Sequence, residues 1–327
     1  MSVHNEPKSY INTSIQSIRN QSYNNIEIIL INDASNEETT NYLISLAETD
    51  KRIKLIHNSE NLGLTRSLNE GLKLCNGEFI ARMDADDYSL PTRIERQVKF
   101  LLKNHQIDIL GTGVVSFGSK VMYMSPLYGA NPDEIQNYLF FSSGLCHPSV
   151  MIKKEFINKY NLTYNNEIKK AQDYDLWERA SVYGNLAVIS KVLLFYRMHE
   201  SQISFKNSSE QEETSESIKI RRLKRINITP NLTELNAHKA LNNAPVKVQI
   251  EDIESWIAKL LSASQYYTKI NISKLKKDLF RRLTLYKLKN KEKLNNFDFL
   301  NIIYISYNRF MLAIWLLYYK SITRKIK

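Results

Sequence analysis

The chain has 327 residues, 43% of them apolar and 24% charged, with only nine Gly and seven Pro, which excludes a disordered or collagen-like polymer and allows one large domain plus a smaller one. Its two cysteines, Cys75 and Cys146, exclude a disulfide scaffold and a zinc site, and imply a reducing cytoplasm. The formal net charge of +11 implies an acidic partner, which leaves nucleic acid, anionic lipid and phosphorylated substrates open, and the basic residues crowd the last third.

The opening "MSVHNEPKSY" lacks the basic-then-apolar pattern of a signal peptide. "YINTSIQSI" sets Ile11, Ile15 and Ile18 on one helical face. "IEIILIND" is a continuous apolar run, as expected of a strand buried on both faces. "ETTNYLISLAE" reads as a helix and "RIKLIHN" as a strand. "LTRSLNEGLKLC" reads as a helix with Leu64, Leu68 and Leu72 in register, closed by Asn76-Gly77. The strand "EFIARM" follows, then an acidic cluster, then a helix opened by Ser89 and Pro91 and carrying Ile94, Val98 and Leu101. This alternation predicts a parallel sheet covered by helices.

Further on, "IDILGTGVVSFG", "VMYMS" and "PSVMIK" read as strands, and "DEIQNYLF" and "QDYDLWERASVYG" as helices. "LAVISKVLLFYR" is two strands or one bent strand. After about Phe205 only helix-like segments remain, so the expected domains are residues 1–205 and a basic helical region at 206–327. The last segment, "FDFLNIIYISYNRFMLAIWLLYYK", is broken by Asn301, Asn308 and Arg309 and falls short of the roughly 20 apolar residues a spanning helix needs. Trp315, Tyr318 and Tyr319 beside a basic tail suit a helix lying in a membrane interface; a core or dimer helix is the other reading.

The chemistry centres on "ARMDADDYSL", where Asp84, Asp86 and Asp87 follow an apolar strand. In open sheets ligands bind beyond the carboxyl ends of the strands, and paired carboxylates there suit a hard divalent cation that also takes phosphate oxygens. A solvated acidic turn is the plain alternative.

The neighbourhood resembles the family 2 glycosyltransferases. The stretches that carry the resemblance are "SVHNEP", "IEIILINDASNEET", "NLGLTRSLNEGLKLCNGEFIARMDADDYSLPTRIERQ", "CHPSVMIKK", "QDYDLWERA" and "YRMHESQIS", in family order over residues 1–205. It implies an α/β GT-A fold, a Rossmann-like mixed sheet flanked by helices, ahead of the α-helical C-terminal region. It also implies an inverting, metal-dependent transfer from a nucleotide sugar, UDP-linked, to a hydroxyl of a growing bacterial surface glycan.

By the same resemblance Glu6, Asp33, Asn61 and Asp84 line the donor nucleotide pocket. Arg66 reaches the phosphates, and Asp86 holds Mn²⁺ or Mg²⁺ with His199 completing the shell. Arg197 closes over the diphosphate, and Asp173 is the base. For Asp33 taken alone, a turn-forming role before Ser35 is the simpler reading. Asp173 heads a helix, whose dipole favours its ionised form, and it follows Gln172 where the family often has Glu. Asp175 is the rival, read as an ordinary first-turn residue. His147 reads as an acceptor-side or structural residue, and Trp177 as packing.

Family members normally begin with an apolar strand ahead of the segment that "SVHNEP" matches. This chain starts at Met1 within it, so neighbouring strands are expected to have unpaired backbone groups and the fold reduced stability. A misassigned start, a natural truncation or a later segment in the slot would each account for it. The expected partners are a nucleotide-sugar donor, a glycan or lipid-linked acceptor, and an anionic inner-leaflet surface, placing the protein in the cytoplasm at the inner face of the membrane. The alternatives are a catalytically impaired remnant and a sugar nucleotidyltransferase; the latter wants a Gly-rich loop that the sequence lacks. No nucleic-acid motif is present, so nucleic acid is not an expected partner.

Overall fold

Buried apolar runs build the first sheet. The structure, a computed structural model, describes residues 1–119, 129–199, 208–296, 298–304 and 306. Strand β2 (Ile28–Asn32) is buried at every position, as its unbroken apolar run requires. It pairs in parallel with β1 (Ser2–Val3) on one side and β3 (Ile53–His57) on the other. Helix α1 (Lys8–Arg19) buries Ile11 and Ile15, and α2 (Glu37–Thr49) buries Leu43 and Leu46. The Asn36 side chain caps α2 by accepting from the Thr39 N–H, with Glu37 and Glu38 in the favourable first turn.

The second sheet is mixed, as the family resemblance implies and the alternation of elements alone does not, with strand order β4-β7-β6-β8-β5. Its strands are β4 (Phe79–Ala81), β5 (Tyr88–Ser89), β6 (Ile109–Gly118), β7 (Met151–Lys153) and β8 (Leu186–Met198). Only β6 and β8 pair in parallel; the other pairs are antiparallel. Helices α3 (Leu64–Leu74), α4 (Arg93–Lys103), α6 (Lys154–Lys159) and α7 (Gln172–Tyr183) complete this part of the chain.

Several elements differ from expectation. Ser89 lies in a strand, and Thr92 takes the N-cap position of α4. Helix α3 ends on an extended Cys75 rather than on a left-handed glycine, so Asn76-Gly77 do not cap it. Of the two readings left open for 186–198, the structure has the single irregular strand, whose register against β6 shifts around Gly113. The strand expected at 121–125, the boundary near 205 and the helix beyond Ser306 lie outside the described residues.

The chain divides into two compact units. One holds Met1–Pro132 and Ser143–Ser215, and the other holds Asp133–Ser142 with the chain from Glu216. The second is helical: all but the first residue of α5 (Pro132–Tyr138), the part of α8 (Ser208–Lys224) from Glu216, α9 (Leu232–Leu241), α10 (Ile250–Ser264) and α11 (Ile272–Asn290). Its core gathers Phe140, Phe141, Leu223, Trp256, Leu260 and Leu279. The His238 ring stacks on Phe141 at 4.6 Å, hydrogen-bonds the Phe140 carbonyl at 2.8 Å, and accepts from the Trp256 indole at 3.3 Å. Among the described residues no helix is long and apolar enough to cross a membrane.

Candidate active site

The acidic turn is braced from three sides. From α1, Ser14 Oγ donates to the Asp84 carbonyl at 2.8 Å and Ser17 Oγ accepts from the Ser89 N–H at 3.0 Å. From α4, the buried Arg93 guanidinium donates to the Arg82 carbonyl at 2.6 Å. From β8, the Arg197 N–H donates to Asp87 Oδ1 at 2.9 Å and Arg197 Nε donates to the Asp86 carbonyl at 2.7 Å. The turn is therefore fixed in shape before any ligand arrives.

Oxygens of Asp84, Asp86 and Asp87 lie within 4.8 Å of one another. Burial pushes the Asp84 carboxyl up, Asp86 adds to the rise, and the Arg82 guanidinium opposes it. Burial pushes Asp87 well above the usual carboxylate range, with Asp86 and Asp84 repelling it further. Asp87 Oδ2 is buried without a hydrogen-bond partner among the described residues. A buried carboxyl oxygen without a partner, beside two further carboxyls whose mutual repulsion disfavours ionisation, is what a hard cation would satisfy, so the residues present fit a divalent metal. His199 Nε2 lies 3.0 Å from Asp86 Oδ2.

Arg197 is held flat. Its guanidinium sits 4.1 Å from the centre of the Tyr10 ring and 4.4 Å from that of Phe117, and Tyr10 also touches the His199 ring at 5.4 Å. Such stacking fixes a planar cation while leaving its edge for hydrogen bonds.

A second group lies on the loops after β1, β2 and β3. The buried Asp33 carboxylate accepts from the N–H of Leu62 at 2.9 Å, the N–H of Gly63 at 3.0 Å and the Asn58 amide at 2.7 Å. The turn chemistry at Ser35 falls instead to Asn32, whose Oδ1 accepts the Ser35 N–H at 2.9 Å. Gly63 has φ +79°, which glycine adopts without strain, and it is the N-cap of α3. The exposed His4 links the Asp33 carbonyl at 2.8 Å to the Asn61 amide at 2.9 Å. Arg66 is exposed in the first turn of α3 and has no hydrogen bond or ion pair among the described residues. Glu6 accepts from the His4 N–H at 2.6 Å, and burial raises its carboxyl to about 7 against that bond, with Asp86 and Asp84 adding to the rise.

Asp173 is the second residue of α7. The helix is launched by Ala171 in the left-handed region at φ 56°, a conformation that costs a non-glycine residue of order 1 kcal/mol. Asn69 fixes the preceding loop by exchanging 2.9 Å hydrogen bonds with the backbone of Tyr164. The dipole expectation is only part of the account. Burial raises the Asp173 carboxyl, outweighing the backbone N–H of Tyr174 and the charge of Arg82, while Asp84 adds to the rise. The result is a stronger base than an exposed aspartate. Asp175 is fully buried and paired with Arg179 at 2.8 Å, which ties it to the helix. His147 shares a 2.7 Å hydrogen bond with the Tyr164 hydroxyl, and Trp177 is fully buried.

Sequence reasoning passed over Arg82 and Tyr10. Arg82 is buried, ion-paired to Asp84, and its charge reaches Asp87, His147 and Asp173. A cation directly after a short apolar strand was the available signal; Tyr10 offered none.

Residues 1–160 match the Glycosyl transferase family 2 description. An uncharacterized glycosyltransferase of Haemophilus influenzae is 33% identical over 259 residues, covering 76% of this chain and 78% of the relative. The O-antigen biosynthesis glycosyltransferase WbnJ of Escherichia coli is 36% identical over 206 residues, covering 61% and 78%. A crystal structure of S. aureus TarS 1–349 in complex with UDP-GlcNAc shares the fold, with a TM-score of 0.59, 16% identity, and 90% and 91% of the two chains covered. The chain belongs to glycosyltransferase family 2, has the GT-A fold, and is a glycosyltransferase.

Proposed function

We propose that the chain transfers a sugar, with inversion, from a UDP-sugar to a hydroxyl of a bacterial surface glycan such as an O-antigen or exopolysaccharide. The observation that carries this reading is the convergence of Asp84, Asp86 and Asp87, with His199 on Asp86 and Arg197 beside them, in a turn at the sheet's edge. The UDP-GlcNAc complex of TarS and the O-antigen role of WbnJ support the choice of donor and acceptor.

Donor binding divides between the two groups of residues. Asp33 and Asn61, fixed through the Asn58–Gly63 loop, face the base and ribose with Glu6 and Asp84, and Arg66 meets the phosphates. Asp86 and His199 would hold Mn²⁺ or Mg²⁺, which supplies charge neutralisation at the diphosphate. Arg197 offers a pre-oriented cation to the same leaving group.

Asp173 takes the proton of the acceptor hydroxyl as that oxygen bonds to the anomeric carbon. The bond from that carbon to the diphosphate oxygen breaks with its electron pair on the nucleotide. Burial suits Asp173 to this work, because raised basicity improves proton transfer while Arg82 keeps the ionised form accessible.

Calorimetry with UDP and Mn²⁺ tests the donor half. Binding is expected with the native chain and is expected to vanish in Asp86→Ala. Asp173→Asn is expected to bind UDP normally and to lose about 10²- to 10⁴-fold in transfer rate. Metal-independent UDP binding, or full transfer by Asp173→Asn, would refute the assignment.

A further inference from the structure

Helix α3 is gripped from two sides. Residues four apart on a helix share a face, and a residue midway between them points nearly the opposite way. At the start of α3 the Leu62 and Gly63 N–H groups donate to the buried Asp33 carboxylate. Ser67 Oγ accepts at 2.9 Å from the Asn58 amide, the same amide that reaches Asp33 at 2.7 Å. Thr65 and Asn69, both buried, occupy the other face.

That face holds the chain leading to Asp173. Residues 160–171 form neither helix nor strand, so their backbone groups must find partners outside a ladder. Thr65 Oγ1 donates to the Ile168 carbonyl at 2.9 Å. Asn69 Nδ2 donates to the Tyr164 carbonyl and to Asn166 Oδ1, and Asn69 Oδ1 accepts the Tyr164 N–H, each at 2.9 Å. A carboxylate has no hydrogen to donate, so an amide is needed to answer both backbone groups of Tyr164. The Tyr164 hydroxyl is held in turn by His147 at 2.7 Å. The loop then runs through Ala171, at φ 56°, into Asp173; a non-glycine residue keeps that conformation only where its surroundings impose it.

We propose that Thr65 and Asn69 are positioning residues for the transfer, with α3 as the strut that fixes Asp173 relative to the nucleoside end of the donor. Gly63 and Asn69 stand about 9 Å apart along the helix axis at 1.5 Å per residue, so one rigid element spans the interval. Because the helix is tied to the Asp33 loop on one side and to the base loop on the other, neither loop shifts alone. Misplacing a reacting group by about 1 Å costs of order 10²-fold in rate, which is the scale on which such a strut matters. The inference rests on reading Asp33 as a donor residue and Asp173 as the base, and adds residues that act through Asp173 rather than on the substrate.

Variants of the full chain separate positioning from general damage. Asn69→Asp keeps size and acceptor but loses the donor, Thr65→Val keeps shape but loses the hydroxyl, and Thr65→Ser keeps the hydroxyl. With UDP-GlcNAc as probe donor and Mn²⁺ present, Asn69→Asp is expected to lose about 10²-fold in kcat and Thr65→Val up to about tenfold. KM for the donor and calorimetric affinity for UDP are expected to hold, and Thr65→Ser to stay near the native rate. In the Asp173→Asn background neither loss is expected to recur. Amide exchange needs no donor. In Asn69→Asp it is expected to rise about tenfold at Asp175, whose N–H bonds the Ala171 carbonyl at 3.0 Å, and to stay unchanged at Leu30 in β2. UDP affinity falling in step with kcat, additive losses in Asp173→Asn, or exchange unchanged at Asp175 or raised equally at Leu30 would overturn the proposal. Full turnover by Asp173→Asn would instead remove the base on which it rests, whereas native turnover by Asn69→Asp beside an inactive Asp173→Asn would sink the strut alone.

Discussion

At the scale of single residues, Glu6 is the most informative group. Burial, reinforced by Asp86 and Asp84, raises its carboxyl from 4.5 to about 7. The unfolded chain ionises Glu6 near 4.5, so the folded state loses stability as pH climbs from there to about 7, and the loss is complete above that point. Glu6→Gln keeps the neutral shape without the ionisation. Thermal melts in a chelator are expected to show the Tm advantage of Glu6→Gln over the native chain growing between these pH values and then levelling off. A gap that stayed flat throughout would contradict the burial argument. The acidic cluster was legible in sequence because carboxylates at the end of an apolar strand are conspicuous. The pairing of Arg82 with Asp84 and the stacking of Tyr10 on Arg197 were not, since those partners meet only after folding.

At the scale of elements, the positions of Arg197 and His199 depend on an irregularity in β8. Ile109 faces Leu186 at the start of the pair, yet Phe117 faces Arg197 near its end, so β8 carries extra residues at the shifts around Gly113. Without them Arg197 would sit further from the turn that Asp86 and Asp87 occupy. A Cβ at Gly113 would lie 2.8 Å from the Lys191 carbonyl oxygen, a contact that backbone must move to relieve. Gly113→Ala is expected to cost about 1–3 kcal/mol, read from the denaturant midpoint, and to weaken UDP binding in parallel. Native-like stability would mean the irregularity is not under steric control. Period and composition left 186–198 as two strands or one bent strand; the structure has the single irregular strand, and where its bulge falls is decided by what lies across the ladder.

For the whole molecule, charge is the property that sequence states most directly. A net charge of +11 concentrated toward the C-terminus predicts attraction to anionic surfaces, with each Lys or Arg close to such a surface contributing about 1 kcal/mol. The full chain is expected to co-sediment with vesicles rich in phosphatidylglycerol and to dissociate as salt rises; equal binding to neutral vesicles would remove electrostatics as the cause. The helical unit contributes a separate core around Trp256, and it recruits Asp133–Ser142 from the middle of the chain. Nothing in a linear reading marked that segment as belonging with helices far downstream.

By itself the sequence determined the alternating elements of the first sheet, the GT-A class and the grouping of carboxylates at a strand end. The first and last follow from short-range pattern, in which neighbours along the chain decide burial and spacing; the GT-A class follows from the resemblance of the quoted stretches to family 2. Tertiary structure decided the strand order and register of the second sheet, the engagement of Asp33 with the Asn58–Gly63 loop and the burial that makes Asp173 more basic. These depend on which backbone and side-chain groups are brought together from distant positions, and on how much water remains between them.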